Sequence, residues 1–238
     1  MTIIGIQVRL LHHYLQYIAT IRDPPEGAVM STVLVLTSSA LGAASVSNQL
    51  VLDAIALLRL QDPHLRVITR DLGGTPIPHL TVESATALRG AEPANAAQAA
   101  ARALSDELVA ELKAADTLVV GAPMYNFGIA STLKTWFDHV LRAGITFKYS
   151  ESGPVGLLEG KRAIVVESRG GLYSERPAKV MDSQEPHLRS LLSFMGITNV
   201  MFVRAENLAF GPEAREKAID AARAQLAEVI QKEFFEAA

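Results

Sequence analysis

One stretch of the sequence decides the fold that we expect: Val119-Val120-Gly121-Ala122-Pro123-Met124-Tyr125-Asn126-Phe127-Gly128-Ile129. Its first residues belong to a short apolar run, Thr117 to Ala122, which is typical of a strand buried on both faces. Pro123 has no N–H to give to a sheet ladder, so the strand is predicted to stop there. Asn126 and Gly128 tolerate unusual backbone angles, which lets the loop turn its amides toward a ligand. Because ligands of open α/β sheets bind at the carboxyl ends of the strands, this loop is either a candidate site or an ordinary strand-to-helix turn.

Composition narrows the classes of protein to consider. The chain has 238 residues, of which 49% are hydrophobic and 20% charged, and its net charge is −3. That is enough sequence for one large α/β core, and no basic stripe points to a nucleic-acid partner. The absence of cysteine excludes thiolate catalysis, iron–sulfur clusters and cysteine zinc sites and fits a reducing compartment. No apolar run reaches the roughly 20 residues that span a bilayer, so we expect a cytoplasmic protein without a membrane partner.

Residues 1–29 differ in character from the rest. The segment from Met1 to Ile21 is apolar but interrupted by charged and histidine residues, and without a small-residue cleavage site it makes a poor signal peptide. The segment from Arg22 to Gly27 contains two prolines and is typical of a linker. We therefore expect 1–29 to be an N-terminal appendage, either a short helix with a linker or the product of an upstream start, and 30–238 to form the domain.

Strand and helix patterns alternate along the rest of the chain. Apolar and β-branched runs predict five strands, and apolar residues at helical spacing predict the helices between them. The strands are Thr32–Leu36, Leu65–Asp71, Thr117–Ala122, Arg162–Val166 and Asn199–Arg204; the helices are Asn48–Leu60, Asn95–Lys113, Ser131–Ala143, Leu188–Met195 and Pro212–Phe235. This alternation predicts an α/β fold with a doubly wound parallel sheet. For five strands we expect the flavodoxin-like order 2-1-3-4-5, in which the loops after strands 1, 3 and 4 meet at one edge.

The first of these loops, Thr37 to Asn48, is rich in hydroxyl groups and runs directly into a helix. It contains neither a Gly-x-Gly-x-x-Gly fingerprint nor a Gly-Lys-Ser/Thr P-loop. The free N–H groups of a helix N-terminus hold a phosphate without any lysine, and serine hydroxyls add further donors. The loop therefore favours a terminal phosphate monoester. The alternative, N-capping by Ser45 or Ser47, explains one serine but not four.

The loop after the fourth strand is Ser168-Arg169-Gly170-Gly171. Its glycines permit close approach of the backbone, and Arg169 offers a guanidinium. A flat heterocycle between this loop and Met124–Phe127 would be held at its edge by backbone N–H groups. The alternative for Arg169 is a surface salt bridge, since such pairs are common and weak.

From Met30 onward the chain resembles the FMN-dependent NADH-azoreductases, also described as NAD(P)H:quinone reductases, of the flavodoxin-like superfamily. The matching stretches cover nearly all of 30–235 and occur in the family's order. They are Ser38-Ser39, Ser45–Gln49, Ala122–Phe127, Arg142–Tyr149, Gly153–Leu157, Ser168–Gly171 and Gly196–Thr198. Two features depart from the family: residues 1–29 have no counterpart, and Leu172-Tyr173-Ser174-Glu175 replaces the expected pattern after the glycine pair, which leaves the substrate preference open.

The resemblance implies an enzyme with FMN as cofactor and NADH or NADPH as electron donor, reducing quinones and azo compounds by two-electron ping-pong hydride transfer. It implies no catalytic side chain, because flavin N5 carries the hydride. It implies that one set of residues surrounds the phosphate (Ser39, Ser45, Val46 and Ser47) and another holds the isoalloxazine ring (Met124, Tyr125, Asn126, Phe127, Ser168, Arg169, Gly170 and Gly171). It also implies a homodimer whose second subunit walls part of the pocket, with Tyr149 and Phe194 at pocket-lining positions.

The sequence lacks the residue patterns of metal sites, serine hydrolases and receiver domains. The six histidines show no metal-ligand spacing, so no metal is expected, and there is no Gly-x-Ser-x-Gly elbow for a serine hydrolase. A receiver domain needs acidic residues where this chain has Thr37-Ser38 and Ala122-Pro123. The remaining alternative is a flavodoxin-type one-electron carrier, although such carriers tend to be strongly acidic and a net charge of −3 is mild.

Overall fold

Five parallel strands form the central sheet of the computed structural model, which describes residues 31–90 and 92–236, with side chains to residue 232. The described part of the chain has seven strands in all: β1 (Thr32–Thr37), β2 (Arg66–Asp71), β3 (Thr117–Pro123), β4 (Phe147–Ser150), β5 (Gly153–Gly156), β6 (Arg162–Ser168) and β7 (Asn199–Ala205). The sheet order is β2-β1-β3-β6-β7, which confirms the predicted order, while β4 and β5 form a separate antiparallel hairpin. The predicted appendage, residues 1–29, lies outside the described residues.

Six α-helices cover the two faces of the sheet in the described part of the chain. They are α1 (Val46–Gln61), α2 (Val82–Ala87), α3 (Ala96–Ala114), α4 (Ser131–Val140), α5 (Glu185–Phe194) and α6 (Pro212–Glu236). Within the described residues, no helix combines the length and the apolar composition needed to cross a membrane.

The core has two layers because side chains alternate along each strand. On β3, Leu118 and Val120 face one layer together with residues of α3, α4 and α5, whereas Val119 faces the other layer together with residues of α1 and α6. All seven residues of β3 are buried, as the apolar run predicted. Because β3 lies at the centre of the sheet and is covered on both faces, the loop at its carboxyl end starts from a rigid support.

Gly121 on β3 brings the start of α1 close to this strand end. A Cβ atom at position 121 would lie 3.1 Å from a methyl group of Val51 and 3.6 Å from the carbonyl oxygen of Ser47. A larger residue would push the helix away. The N-terminus of α1 is therefore held beside the end of β3.

Three local features differ from the predictions, each for an identifiable reason. Helix α4 ends at Val140, not Ala143, because the Thr146 hydroxyl donates to the Val140 carbonyl and accepts the Arg142 N–H, closing the helix. The stretch before α3 contains the unpredicted helix α2, whose start is fixed by reciprocal capping between Thr81 and Ser84. The apolar excursion at 145–160 is the β4–β5 hairpin.

Candidate functional site

Three loops leave the sheet at the same edge, as the strand order requires. Thr37 of β1 pairs with Gly121 of β3, and Pro123 of β3 pairs with Ser168 of β6. The Ser38 hydroxyl donates to the Gly121 carbonyl at 2.8 Å, and the Met124 N–H donates to the Ser168 carbonyl at 2.9 Å. The loops after β1, β3 and β6 therefore start side by side.

The loop after β1 forms a hydroxyl-lined entrance to helix α1. The side chains of Ser38, Ser39, Ser45 and Ser47 are all buried there. Ser45 is the N-cap: its Oγ accepts the Asn48 N–H at 3.3 Å and lies 3.0 Å from Ser47 Oγ. The backbone N–H groups of Val46 and Ser47 have no acceptor among the described residues, as is usual for a first helical turn. This arrangement provides both the donors and the helix end that an anion needs.

The loop after β3 is a two-residue turn with unusual backbone geometry. Tyr125 and Gly128 exchange both backbone hydrogen bonds, at 3.0 and 3.1 Å. Between them, Asn126 has φ 48° and Phe127 has φ 70°, which defines a type I′ turn. We expected Gly128 to take the second unusual angle, but a type I′ turn requires positive φ at both central residues. The N–H groups of Asn126 and Phe127 have no acceptor in the part of the chain that the structure describes, so this turn presents two free donors.

Phe127 occupies a conformation that costs an L-residue about 1 kcal/mol or more. Its carbonyl accepts the Ser183 N–H at 3.0 Å, and its ring meets that of Tyr173 edge-on at 6.0 Å. These contacts hold the strained turn in place. Strained backbone of this kind is concentrated at functional sites, which is consistent with a ligand at this loop.

The loop after β6 presents a second pair of donors. The carbonyls of Gly170 and Gly171 accept the N–H groups of Ala209 and Asn207 at 3.0 and 3.1 Å. Their own N–H groups have no acceptor among the residues described. A Cβ at Gly171 would come within 3.2 Å of the Tyr173 ring, so glycine keeps the backbone accessible there. Gly170 and Gly171 therefore present two free N–H donors at this edge of the sheet.

Arg169 is not a surface residue, so the alternative of a surface salt bridge does not apply. Its side chain is 0% exposed. Nη2 lies 2.6 Å from the carboxylate of Glu167 and 3.1 Å from that of Asp182, and Nη1 lies 3.2 Å from the carboxylate of Glu206. Its backbone N–H donates to the Ala205 carbonyl at 2.8 Å. The guanidinium and the backbone N–H of Arg169 thus both donate to groups inside the protein. We therefore revise the role of Arg169 from cofactor ligand to support of the loop.

Burial changes the pKa of Glu167, one of the carboxylic acids around Arg169. Glu167 is 0% exposed, and burial raises its pKa to about 7, although Arg169 opposes the shift. Oε1 of Glu167 has no hydrogen-bond partner within the described residues. For Glu206 burial acts in the same direction, but hydrogen bonds from the Ser174 hydroxyl and the Tyr173 N–H hold the pKa of its carboxyl below the usual value. Glu167 was detectable in the sequence, since it is an acidic residue directly after the apolar run Ala163–Val166.

Tyr149 and Phe194, the two residues expected to line a substrate pocket, both contact the ring of Phe147. The Phe147 ring contacts that of Phe194 at 4.6 Å and that of Tyr149 at 5.5 Å, the latter edge-on. Phe194 is half-buried, whereas Tyr149 is 73% exposed. The hairpin thus places an accessible aromatic surface on the single chain.

His139 lies on α4 in a structural environment. It is buried, and its Nδ1 donates to the Thr135 carbonyl at 3.0 Å. Among residues 31–90 and 92–236, no group of three or more His, Cys, Asp or Glu is arranged to hold a metal ion.

A parallel sheet in this order, with a serine-rich helix entrance beside two loops of free N–H groups, defines the class of flavodoxin-like proteins. The family model described as having a flavodoxin-like fold matches residues 31–230, and the chain belongs to this family.

Named relatives match the chain over almost their whole length. The protein described as the FMN-dependent NADH:quinone oxidoreductase of Hyphomonas neptunium is 55% identical over 202 residues, which are 85% of this chain and 97% of that protein. The protein of the same description from Ralstonia nicotianae is 50% identical over 202 residues, 84% of this chain and 97% of its own length. Among solved structures, an azoreductase from Bacillus anthracis superposes with a TM-score of 0.79 at 31% identity, covering 85% of this chain and 100% of that one.

Proposed function

We propose that this chain is an FMN-dependent oxidoreductase that transfers electrons from NADH or NADPH to quinones and azo compounds. The observation that carries the proposal is the convergence of three loops with unpartnered N–H groups at one edge of the sheet. The relative from Hyphomonas neptunium, described as an FMN-dependent NADH:quinone oxidoreductase, supports it at 55% identity.

The loop after β1 fits a phosphate monoester. Ser39, Ser45 and Ser47 supply hydroxyl groups, and Val46 and Ser47 supply N–H groups at the positive end of α1. Asn48 Oδ1 is buried and has no partner within the described chain, so it is free to accept a hydrogen bond from a hydroxyl of the ligand. No cation is needed, because the helix end and the hydroxyls carry the electrostatic role.

The other two loops fit the ring of the same cofactor. Asn126 and Phe127 offer N–H donors on one side, and Gly170 and Gly171 offer them on the other. Met124, Tyr125 and Ser168 connect these donors to the strand ends. When bound, FMN supplies the hydride chemistry of both half-reactions. The chain binds and orients the reactants and stabilises negative charge on the ring through neutral backbone donors.

The proposed mechanism requires no side chain as a general acid or base. Steady-state kinetics and histidine variants test it. Initial rates at several fixed acceptor concentrations should give parallel double-reciprocal lines, because the oxidised nicotinamide leaves before the acceptor binds. Replacement of His139 or His187 should leave most of the activity. Intersecting lines, or a loss of about a thousandfold from either histidine, would contradict this mechanism, since that is the scale of a lost general acid or base. Quinones should be reduced faster than azo dyes, because an azo bond also needs protonation.

We further propose that the enzyme is a cytoplasmic homodimer whose contact is built near the flavin from the Ser131–Ala143 region and from the Phe147–Tyr149 segment, so that the partner covers the aromatic cluster around Tyr149. A 73% exposed tyrosine beside two other aromatic rings favours a planar substrate or a second subunit as its contact. Sedimentation and turnover measured at the same concentration test this, and a fully active monomer would contradict it.

The domain from residue 30 onward should retain FMN binding when residues 1–29 are deleted.

The cofactor and reaction are tested on the purified chain. Denaturation should release FMN, and NADH should bleach the visible flavin absorption and be oxidised continuously when a quinone is present. Release of FAD, or no flavin binding after reconstitution with FMN, would overturn the proposal. Bound FMN without NADH or NADPH oxidation in the absence of a partner protein would favour the one-electron carrier instead.

A further inference from the structure

Gln184 is a fully buried amide that connects two of the site loops. It is 0% exposed and directly precedes α5. Its Nε2 donates to the carbonyl of Ala122, at the end of β3, at 2.8 Å. Its Oε1 accepts the Nε–H of Arg169 at 3.0 Å. One side chain thus spans from the base of the Tyr125–Gly128 turn to the residue that precedes Gly170.

The neighbouring backbone adds a second connection to the same turn. The Ser183 N–H donates to the carbonyl of Phe127 at 3.0 Å. The N–H of Gln184 is itself fixed by the Asp182 carboxylate at 2.9 Å. Residues 182–184 therefore hold the turn both at its base and at its tip.

On its other side, Arg169 connects Gln184 to the rest of the glycine loop. Its Nη1 lies 3.2 Å from Oε1 of Glu206, and that oxygen also accepts the N–H groups of Tyr173 and Ser174 at 2.8 and 2.9 Å. Buried polar groups of this kind are fully effective only when each has its partner. Removing one member is expected to shift the loops relative to each other before it unfolds the sheet, whose own ladder does not involve these side chains.

We propose that Gln184 is a positioning residue that, through Arg169, holds the N–H donors of the turn and those of Gly170 and Gly171 at the separation a planar ring requires. The inference rests on the proposed function, because the ring is that of FMN. Gln184 itself touches no reactant; it acts through the two loops that do. The sequence gives no sign of this role, since Gln184 is an isolated amide in a polar segment.

The test replaces Gln184 with Met, which has a similar length and no hydrogen-bonding amide. The matched control is Gln98→Met: Gln98 is 9% exposed, accepts the Ala94 N–H at 2.8 Å and donates to Glu83 at 2.7 Å, and lies at the start of α3. We expect Gln184→Met to weaken FMN binding at least tenfold, measured by quenching of FMN fluorescence on the apoprotein. Gln98→Met should bind FMN within twofold of wild type even where the two variants have lost similar thermal stability.

A second readout separates positioning from general destabilisation. The visible spectrum and midpoint potential of the FMN that Gln184→Met still binds should shift from wild type, because the donors around the ring have moved, whereas those of Gln98→Met should not. If Gln184→Met does not fold, Gln184→Asn replaces it; its shorter amide reaches only one of the two partners, and we expect about threefold to tenfold weaker binding.

Wild-type affinity together with an unchanged spectrum and potential in the Gln184 variant would overturn the inference and leave the proposed function standing. A wild-type chain that binds no FMN would overturn both.

Discussion

The backbone nitrogen of Ala40 lies 3.0 Å from the hydroxyl oxygen of Tyr125 and donates its hydrogen to it. The same hydroxyl lies 3.2 Å from Ser39 Oγ. Tyr125 belongs to the turn after β3, whereas Ala40 and Ser39 belong to the loop after β1. The loop assigned to the phosphate and the loop assigned to the ring are therefore joined by one phenol.

This junction predicts the effect of Tyr125→Phe. Loss of the hydroxyl removes two hydrogen bonds between the loops, and we expect FMN to bind about tenfold more weakly, the scale of one or two net hydrogen bonds. Fluorescence quenching on the apoprotein measures this. Thr86→Val is the control, because its hydroxyl donates to the Val82 carbonyl within α2, outside the three loops. Equal affinities for the two variants would mean that the phenol does not organise the site.

The positive φ angles of the turn predict that two substitutions at Asn126 differ greatly in their effect on FMN binding. Proline fixes φ near −65°, which is incompatible with the observed 48° and removes the N–H donor. We expect Asn126→Pro to weaken FMN binding more than a hundredfold while the apoprotein keeps a cooperative unfolding transition. Asn126→Gly retains both the turn and the donor and should bind within about threefold of wild type. Titration of each apoprotein with FMN tests this, and a proline variant with normal affinity would exclude the turn from the site.

Glu167 predicts a pH-dependent difference in stability. Its pKa is raised to about 7 in the folded protein, so its favourable contribution is complete below pH 4.5 and is lost as the pH rises to about 7. Glutamine does not ionise and suffers no such loss. Relative to wild type, Glu167→Gln should gain up to about 3 kcal/mol in the free energy of unfolding between pH 4.5 and pH 8. Urea denaturation at a series of pH values measures the gain, and parallel curves for the two proteins would refute it.

Close backbone packing at Gly156 predicts a loss of stability on adding one methyl group. A Cβ there would lie 2.0 Å from the Gly196 nitrogen and 2.3 Å from the Met195 carbonyl carbon, and backbone atoms cannot yield as a flexible side chain can. We expect Gly156→Ala to reduce the free energy of unfolding by about 2 kcal/mol or more. Gly170→Ala is the control, since its Cβ would meet only the Ala209 methyl at an ordinary 3.6 Å. Denaturant titrations that fail to separate the two variants would contradict the expected clash.

The strand order was predictable because the evidence for it is local. Each strand of the central sheet contains a short apolar or β-branched run, such as Thr117–Ala122, and the alternation with helices leaves few topologies. The serine-rich helix entrance was predictable for the same reason: residues 38–48 are contiguous in sequence.

The environment of Arg169 was not predictable, because its partners come from separate segments of the chain. Glu167, Asp182 and Glu206 are brought together only by the pairing of β6 with β7 and the return of the intervening loop. Nothing at any single position distinguishes such a residue from a surface arginine. Phe127 illustrates the same limit, since its strained angle is imposed by contacts with Ser183 and Tyr173 and not by its own preference.

The β4–β5 hairpin separates the surface that carries Tyr149 from the loops assigned to the cofactor. It is anchored by Phe147 and by the close contact of Gly156 with Gly196, and it pairs with no strand of the central sheet. Its exposed residues Lys148, Tyr149 and Ser150 therefore lie outside the hydrogen bonds that organise the three loops. Substitutions at these three positions are expected to alter the surface that a substrate or a second subunit meets without disturbing the three loops, whereas a side chain at Gly156 would disturb the anchor of the hairpin.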